Sequence, residues 1–494
     1  MALKHPFSSE LFEIELVQGL ANFWHFFCPW EKPALFSMML ELYPQPTVQK
    51  NRANRNLFGP LVEDEALSVT TEILKSLLGP VSLPSLNVRL WDGTFWPDKE
   101  PRAATLVLNR PSALREMLSG GSEISVTEAY IRGAFDIEGD MIAACDLADV
   151  LAEQTQGWTK TLSVATQLMR LPHLNNATKT RRFQLPKLNG RKHSLERDRQ
   201  AIQFHYDVSN EFYALWLDSR MVYSCGYFET VDTSLEQAQF YKLDHICRKL
   251  GLHSDERLLD IGCGWGALLL YAAKHYGVQA MGITLSQRQF EWVKRRIQEE
   301  NLGDRVTVQL KDYRELPSDG SYDKIASVGM VEHVGDSQLP VYFKKVSSLL
   351  KPGGLFLNHG IGLGSHLRKN EKEGFIEKFV FPDSDLQPIG RMLLAAEEAQ
   401  FDVRDVESLR EHYAKTLRHW VMRLEARHDE AVAQIGEEAY HIWRLYMAGS
   451  AHGFQRGHLS IYQTLLAKTD SHGTAQVPLT RKDWYMQNGC EHCT

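Results

Sequence analysis

The residue types best suited to chemistry gather at three places in this chain. Asp260-Ile261-Gly262-Cys263-Gly264-Trp265-Gly266 sets an acid ahead of closely spaced glycines, Glu332-His333 pairs an acid with an imidazole, and His359 follows a short apolar run. Glycines at such spacing permit a tight turn and let a ligand lie against the backbone. The G-x-G-x-G spacing departs from the dinucleotide fingerprint, and no Lys-Ser/Thr pair follows, so this is not a phosphate-binding P-loop. A plain strand–helix corner is the competing explanation of the turn. Taken singly, Glu332 fits a helix-start acid and His359 a satisfied interior histidine. Their chemistry depends on what the fold brings together.

The elements that must position them follow from the pattern. Arg257 to Ile261 is a short apolar run ending at the glycine turn, and Ala267 to Tyr276 reads as the next helix. Val278 to Ile283, Val306 to Leu310, Lys324 to Val328 and Leu355 to Asn358 read as further strands, with Phe290 to Glu300 a helix between them. Strands alternating with helices imply a doubly wound α/β fold with a mostly parallel sheet and helical insertions. Such sheets bind ligands beyond the carboxyl ends of their strands. Glu332 follows the fourth of these strands and His359 with Ile361 the fifth. If those strands are neighbours, about 4.8 Å apart, their ends converge on one small volume.

Before this region the texture differs. Residues 1–165 read as an α+β domain: Leu86 to Trp91 as a strand, Asp92-Gly93 as a turn, Leu106 to Leu108 as a second strand, and Asn109 to Leu118 as a helix start. Residues 166–200 form a basic linker containing Arg170, Lys179, Arg181, Arg182, Lys187, Arg191, Lys192, Arg197 and Arg199. It reads either as solvated chain or as a surface attracting anionic lipid headgroups, at about 1 kcal/mol per basic residue near the surface. Residues 201–470 form the chemistry-bearing domain and 471–494 a tail.

Composition bounds the rest. The 494 residues are 43% hydrophobic and 24% charged, an ordinary globular balance, and 55 Lys+Arg against 62 Asp+Glu gives a formal charge of −7. No overall basic character points to a nucleic-acid partner. Seven scattered cysteines in so long a chain suit a reducing compartment better than a disulfide framework. No uninterrupted apolar run of about 18 residues is present, and Glu10, Glu13 and Glu15 lie where a signal peptide needs an uncharged core, so neither a spanning helix nor secretion is expected. Cys490 and Cys493 form a C-x-x-C with no second pair nearby, which reads as a loose tail, and no metal site is expected.

The chain resembles class I S-adenosylmethionine-dependent methyltransferases at its glycine turn. More closely it resembles the cyclopropane-fatty-acyl-phospholipid synthases and their mycolic acid relatives. That resemblance runs from about Gln203 to Gln463. Its blocks are Gln203-Phe-His-Tyr-Asp-Val-Ser-Asn-Glu-Phe-Tyr213, Tyr223-Ser-Cys-Gly-Tyr-Phe228, Asp260 to Gly266, Thr284-Leu-Ser-Gln-Arg-Gln289, Asp312-Tyr-Arg314, Val328 to Gly335, His359-Gly-Ile-Gly362 and His412-Tyr-Ala-Lys-Thr-Leu417. It implies that Gly262, Gly264 and Gly266, after Asp260, approach the methionine part of S-adenosylmethionine. Tyr223 and Ser224 would close over the cofactor, Thr284 and Gln289 would hold its ribose, and Asp312 with Tyr313 would flank its adenine. A diol suits polar groups, and an adenine suits an aromatic face with an acceptor.

The implied reaction is methylene transfer to the cis double bond of unsaturated acyl chains in membrane phospholipids. An isolated double bond attacks the sulfonium methyl, leaving a carbocation, and ring closure then needs a base. The resemblance implies that a bound bicarbonate serves as that base, held by Cys225, Glu332, His359, Ile361 and Tyr413. Tyr223, Tyr227, Phe228 and Tyr413 are candidates to face the cation, at about 1–2 kcal/mol each when dry. Such a substrate stays in the bilayer, so a cytoplasmic enzyme docked peripherally on the anionic inner face is expected, with a second copy of the chain as partner. Two features depart from the pattern: Ser450 stands where many members have cysteine, and the amino-terminal half exceeds the short cap of the simplest members. A methyl- or methylene-branching enzyme and a small-molecule amine N-methyltransferase are the alternatives. The latter tends to carry an acid where this chain has Gly329. A lipid-binding adaptor that kept the fold is the non-enzymatic reading, disfavoured by the intact glycine turn.

Overall fold

The computed structural model describes residues 63–79, 85–120, 122–147, 149–150, 158–173, 188–206, 208–364, 374–475 and 477–485. Lys179, Arg181, Arg182, Lys187, Cys490 and Cys493 lie outside them, as do the amino-terminal acids. The chain divides into two compact units, Met1–Phe183 and Gln184–Thr494, so the division falls inside the basic stretch.

In the first unit, β1 (Leu86–Arg89), β2 (Phe95–Trp96), β3 (Ala104–Leu108) and β4 (Phe135–Gly139) form a sheet in the order β2-β1-β3-β4. The Asp92-Gly93 turn forms as expected: Gly93 adopts φ 87°, and the Asp92 carboxylate accepts from the Thr94 amide at 2.9 Å. It leads into the short antiparallel β2, whereas β3 runs parallel to β1. The helix Ala113–Leu118 follows, with Ala113, Leu114, Met117 and Leu118 buried.

The second unit carries a seven-stranded sheet. Its strands are β5 (Arg257–Ile261), β6 (Gln279–Thr284), β7 (Val306–Leu310), β8 (Tyr322–Val328), β9 (Leu350–Leu363), β10 (Asp402–Ser408) and β11 (Leu459–Ala467), in the order β10-β11-β9-β8-β5-β6-β7. Strands β5 to β9 pair in parallel, and β11 pairs antiparallel with both β9 and β10. The order reverses at β5, which places the glycine turn at the topological switch point.

Alternation along the strands builds two cores, one on each face. Leu258, Leu355, Leu357 and Leu465 pack on one side with Leu243, Ile246 and Leu269. Leu259, Phe356 and Leu466 pack on the other with Phe343, Val346 and Met392. The helix Leu235–Leu250 on the first face is delimited by its own sequence. Ser234 and Gln237 form a capping box, and Gly251 ends it in the left-handed region at φ 56°.

Two features differ from the sequence expectation. Strand β9 runs through Leu363, so His359 and Ile361 lie within it and not after it. The cause is β11, which pairs with β9 from Ala467↔Leu355 to Leu459↔Leu363 and holds it extended beyond the end of β8. Strands β10 and β11 themselves were not foreseen; the charged alternation of Asp402–Ser408 resembles a solvated loop.

Candidate active site

The ends of β5, β6, β7 and β8 open into a cleft enclosing about 1250 Å³, part of it open to solvent. Tyr223, Ser224, Asp260, Gly262, Gly264, Thr284, Gln289, Asp312 and Tyr313 all border it. The glycine turn is held by the amides of Gly262 and Cys263, both donating to the Ile283 carbonyl at 3.0 Å. Gly262 and Gly264 adopt φ 77° and 53°, and a Cβ on Gly264 would meet nothing within 4 Å, so the cleft reaches the backbone there.

Gly266 does not border the cleft. It adopts φ 83° at the start of the helix Ala267–Tyr276, and a Cβ there would sit 2.9 Å from Val293. Its glycine lets two helices pack.

Each polar wall of the cleft is braced. Thr284 donates to Gln289 Oε1 at 2.7 Å, which leaves Gln289 its amide donors. Asp312 accepts from the Arg314 backbone amide and guanidinium at 2.7–2.9 Å, and Arg314 also reaches Asp198 at 2.9 Å. Tyr313 is buried edge-on against Tyr342, with centroids 5.4 Å apart. Tyr223 stands among aromatic rings, 5.3 Å from Trp216 and Trp420 and 5.5 Å from Tyr213, with its hydroxyl near His205 Nε2 and Tyr446 Oη.

Asp260 is buried with Oδ1 unpartnered among the described residues, and burial, against the opposing pull of Lys242, pushes its carboxyl up to about 7. An orphaned acceptor, a glycine turn whose backbone the cleft reaches at Gly264, a braced amide–hydroxyl pair and an acid beside a buried aromatic together fit the amino-acid end, ribose and adenine of S-adenosylmethionine.

The groups expected to react lie next to this cleft and are buried. Val328, Gly329, Met330 and His333 border the cleft, and Glu332 lies among them on the 3₁₀ turn Val331–His333. Register pairs Val328 with His359, so the convergence expected of neighbouring strands occurs. Glu332 is 8% exposed; its Oε1 accepts from the Ile361 amide at 2.7 Å, and its Oε2 is buried without a partner among the described residues. Burial, opposed by the Ile361 amide, pushes its carboxyl up to about 7.

His359 accepts from the Gln463 amide nitrogen at Nδ1, 3.2 Å away, which leaves the proton on Nε2. That Nε2 is buried and unpartnered among the described residues. Burial, and then the nearby Lys242, hold the imidazole well below its ordinary pKa, so it is neutral at physiological pH. Cys225 is fully buried; burial pushes its thiol up, and its Sγ points at the carbonyls of Gly226 and Leu409 at 3.3 and 3.8 Å. It is a thiol and not a nucleophilic thiolate. Tyr413 is buried against Phe454 at 4.8 Å, and burial, with the field of Tyr446, Cys225 and Glu332, holds its hydroxyl un-ionised.

Two expectations change here. The Ile361 amide, expected to donate to a bound anion, donates to Glu332, because the carboxylate is a strong acceptor within reach of that strand position. Tyr227 and Phe228 are engaged by imidazoles: Tyr227 stacks between His245 and His412 at 4.4 and 5.0 Å, and Phe228 on His419 at 5.7 Å. Lys242 was missed. It borders the cleft, 2% exposed, with Nζ donating to Ser224 at 2.8 Å. Its signal was legible, because Lys242 and Lys249 lie seven apart on the apolar stripe of Leu243, Ile246 and Leu250.

The sequence model of the family described as mycolic acid cyclopropane synthetase matches residues 193–464, more than half the chain and all of the site. The chain belongs to this family. Relatives extend the likeness beyond that span. A "Probable fatty acid methyltransferase" of Pseudomonas putida is 38% identical over 416 residues, 83% of this chain and 99% of its own. The tuberculostearic acid methyltransferase of Mycobacterium tuberculosis is 31% identical over 76% of this chain and 86% of its own. Among solved structures, a cyclopropane synthase from Mycobacterium tuberculosis superposes with a TM-score of 0.52 at 33% identity, covering 55% of this chain and 98% of that one. A mycolic acid cyclopropane synthase complexed with SAH and CTAB gives the same score and identity. This member of the cyclopropane synthetase family is therefore an S-adenosylmethionine-dependent lipid methyltransferase with the methyltransferase fold.

Proposed function

We propose that the protein transfers a one-carbon unit from S-adenosylmethionine to the cis double bond of an unsaturated acyl chain in a membrane phospholipid and closes a cyclopropane ring. The observation that carries this reading is a set of two polar atoms, Glu332 Oε2 and His359 Nε2, each buried without a partner among the described residues. Glu332, on the turn after β8, accepts from the Ile361 amide two residues along β9 from His359, beside the cofactor cleft. S-adenosylmethionine, when bound, supplies an electrophilic methyl group.

The chain's own residues then manage charge. The aromatic rings around Tyr223 suit a passing cation and exclude water. Cys225 is un-ionised, so it offers no competing nucleophile. The neutral His359 presents an N–H donor and Glu332 a carboxyl that can hold or release a proton near neutrality. A donor and a proton-sharing carboxyl fit bicarbonate, which would supply a mobile base for the new methyl group. Glu332 protonated, or accepting the hydroxyl of that ion, avoids two adjacent negative charges.

We further propose that the enzyme works on the anionic inner face of the membrane from the cytoplasm. No described helix is long and apolar enough to cross a bilayer, and Arg191, Lys192 and Arg199 are exposed. A second reading has specific support: relatives matching most of the chain bear the name fatty acid methyltransferase, which favours a branched product from the same cation.

The test is purified protein with S-adenosylmethionine and anionic vesicles of mono-unsaturated phospholipid, read by mass spectrometry. A gain of one CH₂ per unsaturated chain, falling as salt is raised, is expected. Turnover only on free fatty acids, or none on any unsaturated lipid, contradicts the proposal.

A further inference from the structure

Residues 221–228, which carry Tyr223, Ser224 and Cys225, form neither helix nor strand. An irregular segment has to place its backbone donors on its neighbours. Gly226 donates to Thr416 Oγ1 at 3.0 Å and Phe228 to His412 Nδ1 at 2.9 Å, both on the helix Arg410–Ala426. Tyr227 donates to the Ala238 carbonyl at 2.9 Å, on the helix Leu235–Leu250. The Tyr227 ring is seated between two imidazoles, and that of His245 lies 4.4 Å away at an interplanar angle of 26°. His245 is itself held by β10, where its Nε2 lies 2.8 Å from Glu407 Oε2. The same oxygen accepts from Lys249, one helical turn beyond His245, at 2.6 Å, and buried Lys249 also pairs with Asp405 at 3.0 Å. Asp405 and Glu407 share the inner face of β10 because side chains alternate along a strand, while Arg404, Val406 and Ser408 are exposed. Part of the stretch expected to be a tail covers this cluster: Arg481 pairs with Asp405 at 2.7 Å, buried Trp484 faces Lys249 at 5.8 Å, and the Tyr485 ring lies 5.6 Å from His245. Burial alone would raise the Glu407 carboxyl, but its contacts with His245 and Lys249 outweigh that and hold it down to about 2. An ionised carboxylate can only accept, so His245 carries a proton on Nε2.

We propose that Glu407 and His245 are positioning residues for the reaction: Glu407 orients the His245 ring, His245 seats Tyr227, and Tyr227 fixes the placement of Tyr223, Ser224 and Cys225. The inference rests on the reading that the cleft takes S-adenosylmethionine. A buried lysine that served the fold alone would be satisfied by Asp405. Glu407 adds a second donor, an imidazole whose face lies on the one side chain that anchors the irregular segment. A ring stacked that closely stays parallel to its neighbour only while its edge is tethered, and a charge-assisted hydrogen bond is the stronger kind of tether.

The test measures, on the full chain, S-adenosylhomocysteine affinity by titration calorimetry without lipid, the KM for S-adenosylmethionine and kcat on vesicles of mono-unsaturated phospholipid, and the urea midpoint. Glu407→Gln keeps the shape of the side chain and leaves Lys249 its pair with Asp405, so no buried charge is stranded. It should weaken S-adenosylhomocysteine binding and raise the KM by roughly tenfold each, with kcat at saturating cofactor within about threefold of the parent. His245→Phe keeps a ring on Tyr227 but cannot donate to Glu407, and should lose about the same. The double variant should be no weaker than the weaker single one, because the two residues act as one unit. Arg404→Ala, on the outer face of β10, should leave both constants unchanged. Additive losses in the double variant, a fall in kcat with KM unchanged, or a lowered urea midpoint with both constants intact overturns the inference and leaves the cleft's assignment standing. A parent protein that does not bind S-adenosylhomocysteine overturns the assignment and the inference with it.

Discussion

The cofactor cleft draws its polar walls from consecutive strand-to-helix junctions, at Asp260–Gly266, Thr284–Gln289 and Asp312–Arg314; Thr284 and Asp312 are braced by neighbours within a few residues and the glycine turn by the Ile283 carbonyl of the adjacent strand. The residues proposed to carry the reaction, Cys225, Glu332, His359 and Tyr413, instead come from distant parts of the chain. His359 is oriented by Gln463 on β11, and Glu332 by the Ile361 amide on β9. The cleft is partly open to solvent, while Glu332 and His359 are buried and held away from their ordinary ionisation. Binding can therefore be assembled locally. Acid–base chemistry needs burial that only the assembled tertiary structure provides.

The comparison breaks most sharply at Glu332. Glu332→Gln keeps an acceptor for the Ile361 amide but cannot release a proton, so kcat should fall by about 10³-fold while S-adenosylhomocysteine affinity stays within about threefold. Loss of cofactor binding in that variant would merge the two regions into one. In the cleft, Asp312→Ala frees Arg314 and removes an acceptor beside Tyr313. It should weaken cofactor binding by roughly 30-fold with a much smaller change in the rate of bound enzyme. Equal effects on both would place Asp312 in the chemistry.

Gly266→Ala tests whether that glycine packs or binds. Strain at φ 83° and the approach to Val293 should cost about 2 kcal/mol in denaturant unfolding, with affinity little changed in the folded fraction.

Stability against pH sharpens the contrast further. The Glu332 carboxyl keeps its proton up to about 7 in the folded protein and only to the ordinary glutamate value when unfolded. The folded state thus binds more protons between those values. The contribution is full below the unfolded value and is lost as pH rises to about 7. Glu332→Gln has no such proton, so its melting temperature relative to the parent should rise between about pH 5 and pH 8. Parallel curves would contradict the burial argument. The smallest effect is expected at Ser450, which does not border the cofactor cleft: Ser450→Cys should change turnover by less than about twofold.

The two regions also differed in how much their sequences disclosed. The glycine turn, the helix Ala267–Tyr276 and strands β5 to β8 were legible because their apolar periodicity and turn residues are local. The length of β9 was not, because it is set by pairing with β11 about a hundred residues later. Gly266 is expected at the cofactor from the resemblance of the whole glycine turn, and in the structure it shares a positive φ with Gly262 but lies against Val293. Lys242 was visible as a lysine on an apolar stripe, a conflict of pattern that should have been read as a site.

The most direct measurement uses S-adenosylmethionine bearing a fully deuterated methyl group, with the lipid product analysed by mass spectrometry and proton NMR. Ring closure by a base at the Glu332–His359 pocket removes one deuteron from the transferred carbon. The product should therefore retain two deuterons there and show upfield cyclopropane methine protons at both carbons of the former double bond, which a methylene branch lacks. A product that retains all three deuterons as a methyl branch would contradict the account.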